Sequence, residues 1–141
     1  MEKVFQGQCL CGAVRYEARG RPVVVAQCHC EECRKISGTG HSIGAMFAKS
    51  DVNLSGQVHE YKYMSARGSE VTKASCPICA CQIYGCNTLS EDHMTLTLGS
   101  MDDAQDLAVD VVIFERDRPE WDQLGEGVMC FHTQPDWSPD S

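Results

Sequence analysis

The stretch Cys76-Pro77-Ile78-Cys79 decides the fold when it is read together with Cys9-Leu10-Cys11 near the start of the chain. Residues two apart on a strand point to the same face, so the first pair of cysteines can direct two thiolates at one point. A tight turn, with its proline fixing φ, brings the second pair together in the same way. Two plus two thiolates make the closed, tetrahedral set of a structural zinc site. Because about 65 residues separate the pairs, this zinc would join distant strands and contribute to the folding free energy.

A second cluster, Cys28-His29-Cys30-Glu31-Glu32-Cys33, supplies three thiolates and no evident fourth ligand. Three protein ligands with one open position are typical of a catalytic zinc. His29 lies between two of the ligands, and on an extended segment it points away from the metal, so we assign it a supporting or packing role. We therefore expect up to two zinc ions per chain. The expected ligands are Cys9, Cys11, Cys76 and Cys79 for the structural ion and Cys28, Cys30 and Cys33 for the other.

Two alternatives concern the cysteines. Cys81 could replace Cys79 in the downstream pair, although the two-residue gap is the commoner zinc knuckle. Disulfides are another interpretation of ten cysteines. The N-terminal residues show no charged-then-apolar signal segment, so we expect a cytoplasmic protein in which disulfides do not persist. Cys86 and Cys130 stand alone and fit ordinary thiols.

Length and charge narrow the class of protein. A chain of 141 residues suffices for one domain with a real core and is too short for two. Twenty acidic against twelve basic residues give a formal net charge of −8. An acidic surface opposes phosphate backbones, so we expect no nucleic-acid partner despite the zinc-ligand spacing. No apolar run approaches the length of a membrane span, and we expect no membrane partner either.

Hydrophobic patterning predicts a mainly β fold of small antiparallel sheets with few short helices. A short helix is expected over residues 31–37, before the break at Gly38-Thr39-Gly40, and a helical turn over residues 102–107. Short strands separated by turn signals argue for antiparallel pairing. The expected strands are residues 13–18, 22–27, 41–48, 58–63, 70–75, 82–86, 94–98 and 109–114.

Residues 125–141 shift to Gly, Pro and Asp and are predicted to be a C-terminal tail. The tail nevertheless holds Phe131 and Trp137. Three alternatives remain for it: packing back on the domain, contact with a second subunit in a homodimer, or a loosely ordered end.

The segments Gly7 to Tyr16, Cys28 to Gly38 and Cys76 to Cys79 together resemble the glutathione-dependent formaldehyde-activating enzyme family. That family shares its domain with centromere protein V. The resemblance covers about residues 5 to 124 and implies a single zinc domain over residues 1–124. It implies a β-tent-like fold of small, twisted antiparallel sheets stapled by zinc. Family cysteines that form the structural site match Cys9, Cys11, Cys76 and Cys79, and those of the functional site match Cys28, Cys30 and Cys33.

The same resemblance implies carbon–sulfur lyase-type activity on glutathione-like thiol adducts of small aldehydes. A zinc held by three thiolates prefers a further soft ligand, so a small thiol suits its open position. Arg34 and Lys35 could hold the carboxylates of such a thiol, and His41 could approach the open position as a proton donor. Ala80 stands where members of the family usually carry Gly, and a positive φ there would strain it.

A second class of function fits the same cysteines. Both zinc ions could merely hold the fold of a non-catalytic module whose surface binds a protein. The open position at the three-cysteine cluster favours the enzyme, because a structural zinc is normally closed. A fourth ligand from His41 or Cys81 would favour the module.

Overall fold

In the computed structural model, which describes residues 2–139, the chain is built almost entirely from strands. The one α-helix in this range, α1, spans Glu31–Ser37. The strands in chain order are β1 Val4–Gln8, β2 Arg15–Arg19, β3 Val24–Cys28, β4 Ser42–Ala48, β5 Val52–Ser55, β6 His59–Met64, β7 Glu70–Ser75, β8 Gln82–Asn87, β9 His93–Thr97, β10 Val111–Ile113 and β11 Met129–Cys130. Short 3₁₀ turns connect several of them, such as Leu98–Ser100 and Glu115–Asp117.

The strands form two sheets of unequal size. The small sheet has the order β1-β2-β5, and the large sheet has the order β11-β10-β3-β4-β9-β8-β7-β6. Neighbouring strands are antiparallel, except that β10 runs parallel to both β3 and β11. The small sheet touches the turn after β9 through a bridge between Gly7 and Met101.

The hydrophobic core lies between the small sheet and one face of the large sheet. In β1 and β2 every second residue is buried, which places Phe5, Tyr16 and Ala18 against the large sheet. The rings of Phe5 and Phe47 meet edge to face with centroids 6.0 Å apart. Fully buried Ile83 and Leu96 complete this contact from β8 and β9. The opposite face of the large sheet is therefore left free of the core.

Helix α1 is short, and local chemistry fixes both of its ends. Cys30 is the N-cap, and its sulfur accepts a hydrogen bond from the backbone N–H of Cys33. Gly38 ends the helix with φ of 72°, a left-handed conformation that favours glycine. Cys33 is the buried residue of the helix. The helix thus holds two of the three clustered cysteines at its first turn.

The predicted fold class is confirmed, with several differences in detail. The helix over residues 31–37 and the strand over residues 70–75 have the predicted bounds. Residues 102–107 form only a turn. Cys9 and Cys11 lie in the turn between β1 and β2, so a turn and not strand alternation brings their two thiols together. The sequence patterns also missed β1, β5 and β11.

Part of the segment after position 124 adds a strand to the large sheet. Strand β11 pairs in parallel with β10, and the backbone N–H of Phe131 donates to the carbonyl of Val112 at 2.7 Å. The carbonyl of Phe131 in turn accepts from the N–H of Glu115 at 3.0 Å. Of the three alternatives for this segment, packing back on the domain describes its placement. No helix in the described range is long and apolar enough to cross a membrane.

Candidate metal centres

The first cysteine cluster joins two turns that are distant in sequence. The sulfur atoms of Cys9, Cys11, Cys76 and Cys79 all lie within 4.8 Å of one another. The separation is 3.6 Å between Cys9 and Cys11 and 3.7 Å between Cys11 and Cys76. One pair comes from the β1–β2 turn of the small sheet and the other from the β7–β8 turn of the large sheet. Four convergent thiols in this arrangement can hold a metal ion between the two sheets.

Backbone N–H groups surround the sulfurs of this cluster. The N–H of Val14 points at Cys9 Sγ at 3.3 Å, and the N–H of Ile78 points at Cys76 Sγ at 3.4 Å. Burial by itself would raise the pKa of Cys9, but hydrogen bonds from the Val14 N–H and from the thiols of Cys11 and Cys76 outweigh it and lower the pKa to about 6. Such donors favour the thiolate, which is the form that binds metal.

Cys79 and not Cys81 supplies the fourth sulfur of this cluster. The Cys81 thiol faces the carbonyl of Gln82 at 3.6 Å. Between the two cysteines, Ala80 has φ of 65°, and its N–H donates to the carbonyl of Cys76 at 2.9 Å. The turn thus requires a left-handed backbone conformation, which favours glycine, but the chain has an alanine at this position.

The second cluster lies where β3 passes into α1. Cys28 ends β3, Cys30 caps the helix and Cys33 lies in its first turn, and the three sulfurs are within 4.8 Å of one another. No fourth cysteine, histidine or carboxylate among residues 2–139 joins this group. The cluster therefore offers a metal ion three thiolates and leaves room for a further ligand.

Lys73 of β7 provides positive charge at the second cluster. Its Nζ lies 3.8 Å from Cys33 Sγ. Hydrogen bonds from the thiols of Cys28 and Cys30, together with the Lys73 charge, lower the pKa of Cys33 to about 2. Hydrogen bonding to Cys30 and Cys33 and burial raise the pKa of Cys28. One negative charge is therefore favoured on the three sulfurs even before a metal binds.

An open cleft extends from this cluster over the free face of the large sheet. Cys28, Ser42, Thr95, Gly85, Lys73 and Tyr63 contribute to its walls. Strand pairing places Lys73 opposite Gly85 and Gly85 opposite Thr95, and the Lys73 side chain lies against Gly85. Burial, together with the negative charge expected on the clustered cysteines, raises the pKa of Tyr63 and keeps its hydroxyl protonated. A small molecule in the cleft can reach the three sulfurs.

The two cations predicted to bind a ligand occupy different environments on α1. Arg34 lines the cleft, and its Nε is buried without a hydrogen-bond partner among the described residues. Lys35 pairs with Glu31 at 2.9 Å on the exposed side of the helix. Arg34, but not Lys35, thus lines the cleft that the three-cysteine cluster also lines.

His41 is placed in a third polar cluster with His29 and Asp122. Its Nδ1 lies 2.6 Å from Asp122 Oδ2, and its ring meets that of His29 with centroids 5.3 Å apart. Ser42, the first residue of β4, pairs with Cys28, whereas His41 just before it lines the cleft and turns its Nδ1 to Asp122. No hydrogen bond joins His41 to the clustered sulfurs within residues 2–139.

Most of the chain matches the model of a known protein family. A family model described as "Glutathione-dependent formaldehyde-activating enzyme" matches residues 4–117, which include both cysteine clusters. The chain belongs to this family. The family name refers to a glutathione-dependent, formaldehyde-activating type of function, and the resemblance of the cysteine motifs is thereby confirmed. Asp122 lies beyond the matched residues.

One solved structure shows the same fold. A crystal structure of a Rhodobacter sphaeroides protein, a structural genomics target, is similar to the chain with a TM-score of 0.57 and 17% sequence identity. The similarity covers 72% of this chain and 91% of that protein. At this level of identity the likeness shows the fold alone. No curated protein matches the chain.

Sequence reasoning missed three residues of these clusters: Lys73, Tyr63 and Asp122. Lys73 and Tyr63 belong to strands that alternate, but alternation gives only their face and not which distant residues approach that face. Asp122 comes from a turn 81 residues after His41 and carries no local signal. Their contacts depend on pairings between distant strands.

Proposed function

We propose that this protein is a zinc-dependent enzyme of the carbon–sulfur lyase type that acts on glutathione-like thiol adducts of small aldehydes. The observation that carries the proposal is the convergence of Cys28, Cys30 and Cys33 at the end of an accessible cleft, without a fourth protein ligand among residues 2–139. A closed set of ligands would leave no place for a substrate.

The donor sets suit zinc. Four thiolates about 2.3 Å from a tetrahedral zinc are about 3.8 Å from one another. The separations of 3.6 Å and 3.7 Å in the first cluster are close to this spacing. Cys9, Cys11, Cys76 and Cys79 would hold one zinc, and Cys28, Cys30 and Cys33 would hold the other. The second zinc, when bound, would lower the pKa of a thiol in its open position.

Cationic groups of the chain would bind and orient the substrate. Glutathione carries two carboxylates, and the half-buried Arg34 lines the cleft with a guanidinium that could pair with one of them. Lys73, beside Cys33, carries a positive charge at the place where an aldehyde oxygen would gain negative charge. The protonated hydroxyl of Tyr63 is a second donor in the same wall.

The reaction balances without an oxidant. A thiol adds through sulfur to the aldehyde carbon, the S–H bond breaks, and the carbonyl oxygen takes up a proton to become a hydroxyl. The reverse reaction breaks the carbon–sulfur bond and returns the aldehyde. The placement of Lys73 and Tyr63 at the cleft supports binding and charge stabilisation for either direction.

A direct test is exchange NMR with ¹³C-formaldehyde and glutathione. The zinc-loaded protein should accelerate interconversion of free formaldehyde and its glutathione adduct, and Cys33→Ser should abolish the acceleration. Cys130→Ser changes an exposed thiol outside all clusters and is the matched control. If the fully loaded protein gave no acceleration and bound no thiol in calorimetry, the enzyme assignment would be overturned.

The second candidate is the non-catalytic, zinc-stabilised protein-interaction module. Leu10 and Ile78, the residues between the paired cysteines of the first cluster, are 87% and 75% exposed. Exposed apolar side chains on two rigid turns are a feature of protein-binding surfaces. This candidate predicts that Leu10→Ser and Ile78→Ser weaken partner binding while both zinc ions are retained.

A further inference from the structure

The cluster of His29, Asp122 and His41 adjoins the three-cysteine segment and contributes no group to the carbon–sulfur chemistry proposed for it. His29 is fully buried, and its Nδ1 lies 2.8 Å from the carbonyl oxygen of Gly40 and 3.2 Å from Asp122 Oδ2. Its Nε2 faces the side-chain amide of Gln27 at 3.0 Å. Every polar atom of this buried ring therefore has a partner.

These contacts connect the two ends of the segment that carries the second cluster. His29 lies between Cys28 and Cys30, whereas Gly40 and His41 follow the helix that carries Cys33. The hydrogen bond from His29 to Gly40 therefore joins the beginning and the end of the segment 28–42. Asp122 then contacts the histidines at both ends with one carboxylate oxygen.

Hydrogen bonds within residues 118–122 fix the position of Asp122. Its backbone N–H donates to the carbonyl of Pro119 at 3.1 Å, and its carbonyl accepts from Arg118 Nη1 at 2.7 Å. A Cβ added at Gly40 would lie 2.3 Å from Asp122 Oδ2. The close approach of the carboxylate thus requires a glycine at position 40.

The distances favour hydrogen bonds over a third metal site. Nitrogen and oxygen ligands about 2.0–2.2 Å from a tetrahedral ion lie about 3.3–3.6 Å apart. The 2.6 Å separation between His41 Nδ1 and Asp122 Oδ2 is shorter and is that of a charge-assisted hydrogen bond. The imidazole N–H groups donate and the carboxylate oxygen accepts.

We infer that Asp122 is a positioning residue for the second metal site. Through His29 and His41 it holds together the two ends of the segment 28–42, and so keeps Cys28, Cys30 and Cys33 converged before metal binds. Groups that orient a metal site from outside its ligands commonly change metal affinity by tenfold or more. The inference rests on the second cluster binding metal, as proposed above, but not on any catalytic activity.

The test measures two metal affinities in one protein. Apo protein is titrated with Cd²⁺ in competition with a chromophoric chelator, and ¹¹³Cd NMR assigns the four-sulfur and three-sulfur sites. Asp122→Ala should weaken the three-sulfur site about tenfold and leave the four-sulfur site within twofold of wild type. Glu120→Ala, an exposed carboxylate of the same segment, is the control and should change neither affinity.

A second variant disturbs the contact between Asp122 and Gly40 by changing Gly40 instead of Asp122. Gly40→Ala leaves the carboxylate in the chain but displaces it, and should weaken the three-sulfur site to a similar degree. A role in overall stability alone would lower thermal stability without changing the ratio of the two affinities. Unchanged ratios in both variants would overturn the inference, and so would a third cadmium signal lost in Asp122→Ala. Absence of a three-sulfur signal in wild type would instead overturn the metal assignment of the second cluster.

Discussion

The sulfur atoms of Cys11 and Cys76 lie 3.7 Å apart, although 65 residues separate them along the chain. Cys11 belongs to the turn of the small sheet and Cys76 to a turn of the large sheet. A metal at this point would tie together the two sheets that enclose the core. Structural zinc binding contributes about 10–16 kcal/mol in small zinc domains, which equals or exceeds the whole stability of a typical domain.

Cys76→Ser should therefore unfold much of the chain, whereas Cys33→Ser should leave the fold intact. The first substitution removes a ligand that joins the sheets, and the second affects a cluster formed within one segment. Far-UV circular dichroism and thermal melting distinguish the two outcomes. A native Cys76→Ser protein together with an unfolded Cys33→Ser protein would mean that the two clusters have the opposite roles.

Chelation should remove the two metals in sequence. A chelator can enter the open position of the three-cysteine cluster, whereas the four-cysteine cluster is closed and has Cys9 and Cys76 almost fully buried. Timed exposure to a mild chelator, with zinc counted by mass spectrometry, should show loss of about one equivalent before the second. Equal rates of loss would count against the assignment.

Arg34→Ala should weaken glutathione binding by about 1–3 kcal/mol if the guanidinium pairs with a carboxylate in the cleft. Lys35→Ala is the matched control on the same helix. Its ammonium already pairs with Glu31 in water, and its loss should cost little. Titration calorimetry with glutathione and S-methylglutathione provides both measurements. Equal affinity for the two ligands would show that the thiol sulfur does not reach the metal.

Features fixed by neighbouring residues could be predicted from the sequence. Helix α1 follows from a polar start, two acidic residues in its first turn and the glycine at its end, all within ten residues. The cysteine pairs follow in the same way from their spacing. The choice of Cys79 over Cys81 was also predictable, because the two-residue gap suits a tight turn.

Features that depend on distant pairing could not be predicted. Strand β10 pairs in parallel with β3, and the paired residues are about 85 positions apart in the sequence. No local sequence pattern predicts this pairing. The contact of His41 with Asp122, 81 residues away, has the same origin, and a role of His41 at the open zinc position stays a prediction. Strand β4 begins at Ser42, which pairs with Cys28, and His41 just before it turns its Nδ1 to Asp122.

Alkaline pH should destabilise the protein in part through Tyr16. Burial and the negative charge of Asp102 raise the pKa of Tyr16 to about 12, although its hydrogen bond with Ser100 at 2.7 Å acts in the opposite direction. The folded state thus favours the neutral phenol. Its contribution is complete below the ordinary tyrosine pKa of about 10 and is lost as pH rises towards 12.

Tyr16→Phe tests this assignment. It should cost about 0.5–1.5 kcal/mol at neutral pH through the lost hydrogen bond, but should lose less stability than wild type between about pH 10 and 12. Urea unfolding across this range measures both effects. Tyr61→Phe alters an exposed ring and should follow the wild-type curve. Parallel curves for wild type and Tyr16→Phe would show that another group causes the alkaline loss.

Ala80→Gly should stabilise the metal-loaded protein. Ala80 has φ of 65°, where a Cβ costs about 1–2 kcal/mol, and glycine removes that cost while adding some freedom to the unfolded chain. The net gain should be about 0.5–1 kcal/mol in denaturant unfolding. Ala66→Gly, in an exposed turn without a positive φ, is the control and should be neutral or slightly destabilising. A loss of stability in Ala80→Gly would mean that the turn between the two ligands does not hold the left-handed conformation in solution.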